Sequence, residues 1–298
     1  MMKHLLVPLE GESVERLLPV IRRLDGMGVS EITLLRSEFP MVADEYAVVS
    51  ETLLQEAKGL LEEVRGRLSG LQASVGTVAR IGPATATILE VAEETKATLI
   101  LVASGQRSRL TRMLFGGAVE RLVQRSTIPL LTVPPPWTYE IAPSLPPDER
   151  PLRAILVPLD GERASRGILP HALDVAQTAG ARLLLLSVLP GHDRGRSGFE
   201  TAEEQLYAAG ADCIAAGVDF SVVVESGNPA ERILAACRNR DVDWIAMSTR
   251  GRSVLSRWFT PSTTLQVLRQ SWVPTLTVRS DPAARPLGLE SPGLLGRH

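Results

Sequence analysis

A segment near the start of the chain, KHLLVPLEGE (Lys3–Glu12), comes back past the middle as RAILVPLDGE (Arg153–Glu162). A second pair, IPLLTV (Ile128–Val133) and VPTLTV (Val273–Val278), closes each copy. A chain that repeats itself over the length of a whole domain folds as two sibling units, and it carries two versions of any site that the unit builds. With 298 residues there is enough interior for two cores without staples. The copies have diverged, and the second is shorter by a few residues, a loss that falls between Pro40 and Gly82 of the first. The expected division is a first domain over 1–134, a linker over 135–152, a second domain over 153–279 and a tail over 280–298.

Within each copy, buried apolar runs alternate with amphipathic segments. Leu5–Leu9, Ile32–Leu35, Ser74–Arg80 and Leu99–Ala103 read as strands. Val14, Leu17, Leu18, Ile21 and Leu24 fall on one face of a helix that Gly26 and Gly28 end. Helices are also expected over Glu51–Leu68 and Thr85–Glu94. The second copy repeats the order with strands at Ile155–Leu159, Arg182–Val188, Asp219–Val224 and Trp244–Met247. Its helices lie around Ile168–Ala176 and Glu203–Ala216, from Pro229, and from about Ser262. Asn228, Pro229 and Glu231 form a helix start, with Asn as N-cap and Pro at the first helical position. Alternation of this kind gives a parallel sheet with helices on both faces, because parallel strands need crossovers and these are right-handed. The fold class is therefore α/β, as two repeated doubly wound domains. The prolines of 135–152 make that stretch an extended linker, and the tail, rich in Pro and Gly, has no period.

Composition narrows the function. The net charge of −2 offers no global basic field to nucleic acid, so any anion site is local. Aromatics at 4% are too few to build stacking platforms for single strands. Cys213 and Cys237 lack metal-ligand and CxxC spacing and read as small buried hydrophobes in a reducing cytoplasm. No apolar run approaches the roughly 20 residues of a membrane span, and the start is too short in apolar residues for a signal h-region. A cytoplasmic protein without membrane insertion is expected. His4, His171, His192 and His298 are scattered and form no catalytic spacing, and neither a GxxxxGK[ST] loop nor a GxGxxG fingerprint occurs. No catalytic residue is assigned, and no enzymatic activity is expected from these spacings.

In open parallel sheets ligands collect beyond the carboxyl ends of the strands. In copy two this places Pro158, Leu159 and Asp160, then Val188, Gly227, and Met247, Ser248, Arg250 and Gly251 around one crevice. The helix starting near Ser262 and Thr263 aims its N-terminus there, an anion site by virtue of free N–H groups and the helix dipole. Arg250, Arg252 and Arg257 either supply local positive charge to a phosphate or form a solvated loop face. Asp160 either accepts hydrogen bonds from a base or sugar or is a turn residue before Gly161.

VPLEG and VPLDG after the first strands, Gly227-Asn228-Pro229 before a helix, and the loop, helix and VP-type last strand of each copy resemble the universal stress protein family. The resemblance covers all but linker and tail. It implies a five-stranded parallel sheet in order 3-2-1-4-5 in each domain, similar to the adenine nucleotide alpha hydrolase-like folds. It also implies pairing through the last strands, here between the two halves of one chain, with a homodimer and further protein partners as extensions. The ATP-binding branch carries G-x2-G-x9-G-[ST]; copy two reads Ser248, Gly251, Pro261 and Ser262 at these positions, and copy one Ala103, Gln106, Gly116 and Gly117. Copy one has Glu10 where copy two has Asp160, and Ser37 where it has Val188. The resemblance thus implies ATP or AMP, with Mg²⁺ if ATP, in the second domain only. The competing reading is a nucleotide-free interaction protein of the same fold with both pockets decayed.

Overall fold

The computed structural model describes residues 2–10, 13–39, 46–104, 117–134, 151–160, 165–189, 196–250 and 261–280. The first copy forms β1 (His4–Pro8), α1 (Val14–Gly26), β2 (Glu31–Glu38), α2 (Tyr46–Arg67), β3 (Ser74–Ile81), α3 (Ala84–Glu94), β4 (Leu99–Ala103), α4 (Gly117–Arg125) and β5 (Leu130–Val133). The second forms β6 (Ala154–Pro158), a 3₁₀ turn (Ser165–Ile168), α5 (Leu169–Ala179), β7 (Arg182–Leu189), α6 (Arg196–Ala215), β8 (Phe220–Ser226), α7 (Pro229–Asn239), β9 (Trp244–Arg250), α8 (Pro261–Gln270) and β10 (Thr275–Ser280).

One sheet of ten strands runs through the molecule in the order β3-β2-β1-β4-β5-β10-β9-β6-β7-β8. Every neighbour pair is parallel except β5 with β10, where Leu131 stands opposite Leu276 and Thr132 opposite Thr275. Central strands such as β6 are buried along their whole length, which is why they read as continuous apolar runs, whereas the edge strands β3 and β8 are only partly covered. On one face a single apolar core crosses the junction, from Leu5 and Leu34 through Leu131, Val133, Leu276 and Val278 to Ile155 and Leu185. On the other face the core is divided. One part lies under α3 and includes Ile88 and Ile100, another includes Val188, Met247 and Val267, and a small cluster of Val123, Leu265 and Leu268 sits between them.

The two copies secure their first strands by the same device with different chemistry. Thr98 Oγ1 accepts from Lys3 N and His4 N at 2.9 and 3.0 Å, and Asp243 Oδ2 accepts from Arg153 N and Ala154 N at 2.8 and 3.1 Å. The turns into β5 and β10 are matched too: Ser126 bonds to both Ile128 N and O, and Ser271 to both Val273 N and O. Asn228 caps α7 through its side chain on Glu231 N, and Gly227 before it has φ of +135°, a conformation that a side chain strains.

Four elements have boundaries that differ from the sequence expectation. Helices α2 and α6 begin earlier, at Tyr46 and Arg196, in turns that carry little apolar period. Strand β9 continues past Met247 through Arg250, because β10 offers a backbone partner to every residue up to Ser280 and Ser, Thr and Arg need no apolar neighbour to join a ladder. The last strand is displaced accordingly, to Thr275–Ser280.

Cys213 and Cys237 are free and buried. Burial first, and the nearby Asp212 and Asp243 charges second, push their thiols up to about 11 and about 12. Both are expected to stay unmodified by iodoacetamide near pH ~8 in the native chain and to label fully in denaturant, as mass spectrometry of the two states would show.

Candidate functional site

The crevice lies beyond the carboxyl ends of β6, β7, β8 and β9. Pro158 closes β6, and Leu159 N–H donates to Leu186 O at 2.8 Å, which carries the chain one residue past the strand before it turns. Asp160 follows and is only 8% exposed. A carboxylate this well covered at a strand end is held in one place, as a group that recognises a ligand must be.

Val188 and Met247 are 4% and 2% exposed and share one apolar cluster with Ile245, Val267 and Trp272. They form a packed floor on the α7 and α8 side of the sheet. Leu159 belongs to the core on the opposite face. The residues grouped by sequence are therefore split by the sheet, and alternation of side chains along strands is the reason. Ser248 and Arg250 stand in the β9 ladder, opposite Val278 and Ser280, and not in the loop where the sequence expectation put them. Gly251, Arg252 and Arg257 lie outside the described residues.

Helix α8 starts at Pro261, whose missing N–H falls among the groups that a helix start leaves unbonded in any case. The backbone N–H groups of Ser262 and Thr263 remain in the first turn, and Thr263 is buried. A helix N-terminus offers N–H donors to an anion and a buried carboxylate can accept hydrogen bonds, whereas Val188 and Met247 are packed into their own core. The described residues hold no cluster of three or more His, Cys, Asp or Glu suited to a metal ion.

In the first copy, two arginines that sequence reasoning missed hold the backbone beside the crevice. Arg36 Nη1 donates to Leu9 O at 3.0 Å while its Nε reaches Glu38 Oε1 at 2.5 Å. Arg16 Nη1 donates to Ser104 O at 2.8 Å. These guanidinium groups bind the chain just beyond β1 and β4. Leu9 N bonds Leu35 O as Leu159 N bonds Leu186 O, so the residue that follows, Arg36, corresponds to Ser187. A serine cannot span that distance, and the second crevice lacks this tie from β7. Glu10, the counterpart of Asp160, is exposed, and its N–H bonds Ser13 Oγ at 3.0 Å. Comparison of the paired strands ITLLRS and LLLLSV would have flagged Arg36 as the one charge in an otherwise apolar run.

Two further clefts among the described residues belong to neither crevice. A cleft of 530 Å³ lies at the opposite end of the second sheet, between Arg153, Arg182, Asp219 and Asp241. A smaller one of 350 Å³ lies between α2 and β3.

Comparison with known proteins follows the fold. A universal stress protein from Archaeoglobus fulgidus shares 20% identity over 95% of this chain and 98% of its own, with a TM-score of 0.72. A protein of unknown function from Pseudomonas aeruginosa shares 20% identity over 94% and 93%, with a TM-score of 0.61. The cytoplasmic domain of a prokaryotic cation chloride cotransporter shares 11% identity over 94% and 96%, with a TM-score of 0.51. At these identities the likeness shows the fold alone. No curated protein matches the chain. The family model described as universal stress protein family matches twice, over residues 1–134 and 151–279. Two successive matches that span most of the sequence, on a fold that solved members share end to end, show that the chain belongs to the universal stress protein family as a tandem of two such domains.

Proposed function

We propose that this tandem protein is a stress-response regulatory module whose second domain binds an adenine nucleotide, ATP with Mg²⁺ or AMP. The observation that carries this reading is the contrast between the two strand ends. Asp160 is buried at the end of β6, whereas Glu10 is exposed at the end of β1, where Arg36 and Arg16 engage the neighbouring carbonyls. The second crevice keeps a buried carboxylate at this strand end, and the first has an exposed one beside guanidinium groups that hold backbone carbonyls.

Calorimetric titration of the full chain with ATP and Mg²⁺ tests the reading. Asp160→Ala is expected to weaken binding by about ten- to a hundredfold, the effect of losing a hydrogen bond to a charged group. Glu10→Ala is expected to leave affinity within about twofold. Equal affinity in the wild type and in Asp160→Ala would sink the assignment.

A specific observation favours the other reading, a nucleotide-free interaction protein. Val188 and Met247 are already covered by their own core. In that case the titration yields no heat for any variant, and no nucleotide is released when the purified chain is denatured. No helix of the described residues is long and apolar enough to cross a membrane, so neither reading invokes a membrane-spanning helix there.

A further inference from the structure

The second-domain crevice is not built by the second domain alone. Helix α4 of the first domain lies over β9 and β10 of the second. Its Val123 packs against Leu265 and Leu268 of α8. Thr249, which sits in β9 between Ser248 and Arg250, donates from Oγ1 to Val123 O at 3.4 Å in a buried position. Val123 falls in the last turn of α4, where helix carbonyls look outside the helix for donors. Arg269 Nη2 of α8 reaches both carboxylate oxygens of Glu120 at 3.4 Å. The first domain thus grips both the strand β9 and the helix α8 of the second crevice.

Among the described residues the grip is one-sided. Counting back from the matched serines Ser126 and Ser271, Glu120 and Gln124 of α4 correspond to Leu265 and Arg269 of α8. The reverse ion pair would need Gln124 and Leu265, which cannot form one. The first-domain counterpart of Thr249 is Ser104, and its hydroxyl turns to Val133 O of its own domain at 3.1 Å. A contact that arose only from the near-symmetry of two paired domains would occur in both directions. Both polar contacts instead tie the second-domain site to α4.

Resting on the nucleotide reading above, we propose that α4 of the first domain is a regulatory element of the second-domain crevice. The Thr249–Val123 hydrogen bond and the Arg269–Glu120 ion pair carry occupancy of the crevice to the first domain. Phosphate at the start of α8 can shift only an element that α4 already holds. By reciprocity, whatever orders α4 raises nucleotide affinity by the same factor that nucleotide orders α4.

The test uses the full chain, with ATP and Mg²⁺ as the probe, in hydrogen exchange and in calorimetry. Amides of Val119–Arg125 are expected to exchange more slowly when ATP is added to the wild type. In Glu120→Gln/Thr249→Val this slowing is expected to disappear and ATP affinity to fall about fivefold, the lower end of usual coupling between sites. Glu120→Gln alone, at the partly exposed end of the contact, keeps the test available if the double variant folds poorly, and the same direction is expected. Bound ATP without any change in α4 exchange overturns the coupling and leaves the nucleotide reading standing. Absence of ATP binding in wild type and variants overturns both.

Discussion

Leu131→Asp is expected to cost about 5 kcal/mol and to abolish the single cooperative unfolding of the chain, because it places a carboxylate in a core shared by both halves. Leu131 is fully buried and stands directly opposite Leu276 across the antiparallel step between β5 and β10. On its face of the sheet the apolar core runs without interruption from one copy into the other. Removing Leu131 therefore takes cover from Leu276 and Val278 as well. The other face of the same step behaves differently. Thr132, Thr275 and Thr277 are buried there, the hydroxyl of Thr277 reaches Leu130 O only at 3.5 Å, and Thr132 Oγ1 has no partner among the described residues. Thr132→Val is accordingly expected to be neutral or stabilising, since it removes a buried hydroxyl and keeps the shape. Guanidinium denaturation followed by circular dichroism separates the two outcomes. A cost below about 1 kcal/mol for Leu131→Asp would mean that the halves do not share a core.

Asp243→Ala is expected to lower stability by about 3 kcal/mol, or roughly 10 °C in Tm, by leaving two backbone N–H groups at the start of β6 without their acceptor. The carboxylate is buried and takes Arg153 N and Ala154 N together. Asp243→Thr is expected to recover most of the loss, because Thr98 performs the same task on Lys3 N and His4 N in the first domain. Thermal unfolding of the three proteins checks the pair. A threonine variant no better than the alanine variant would mean that the shared role is coincidental.

Those two residues also show what the amino-acid order makes legible. Leu131 lies in a buried strand that can be read from IPLLTV, and the α/β class follows from such runs alternating with amphipathic helices. The Asn228 cap is equally readable, since its role depends only on residues next to it. Asp243 and Thr98 were opaque, because their partners lie about ninety residues away in a strand that only the fold brings alongside. The site was legible as a list and not as a geometry. Alternation placed Leu159 on one face and Val188 with Met247 on the other, and the β10 ladder drew Ser248 and Arg250 into strand. Arg16 and Arg36 escaped notice because what matters is their reach to Leu9 O and Ser104 O, which no spacing encodes.

On the proposed reading the two crevices have parted in function: the second has a buried carboxylate at its strand end, and the first an exposed one beside Arg36 and Arg16. The number of nucleotides held per chain tests it most directly. Native mass spectrometry of the full chain with ATP and Mg²⁺ is expected to show one nucleotide per chain, lost in Asp160→Ala and retained in Glu10→Ala. Two nucleotides per chain, or one that survives Asp160→Ala and leaves with Glu10→Ala, would contradict it.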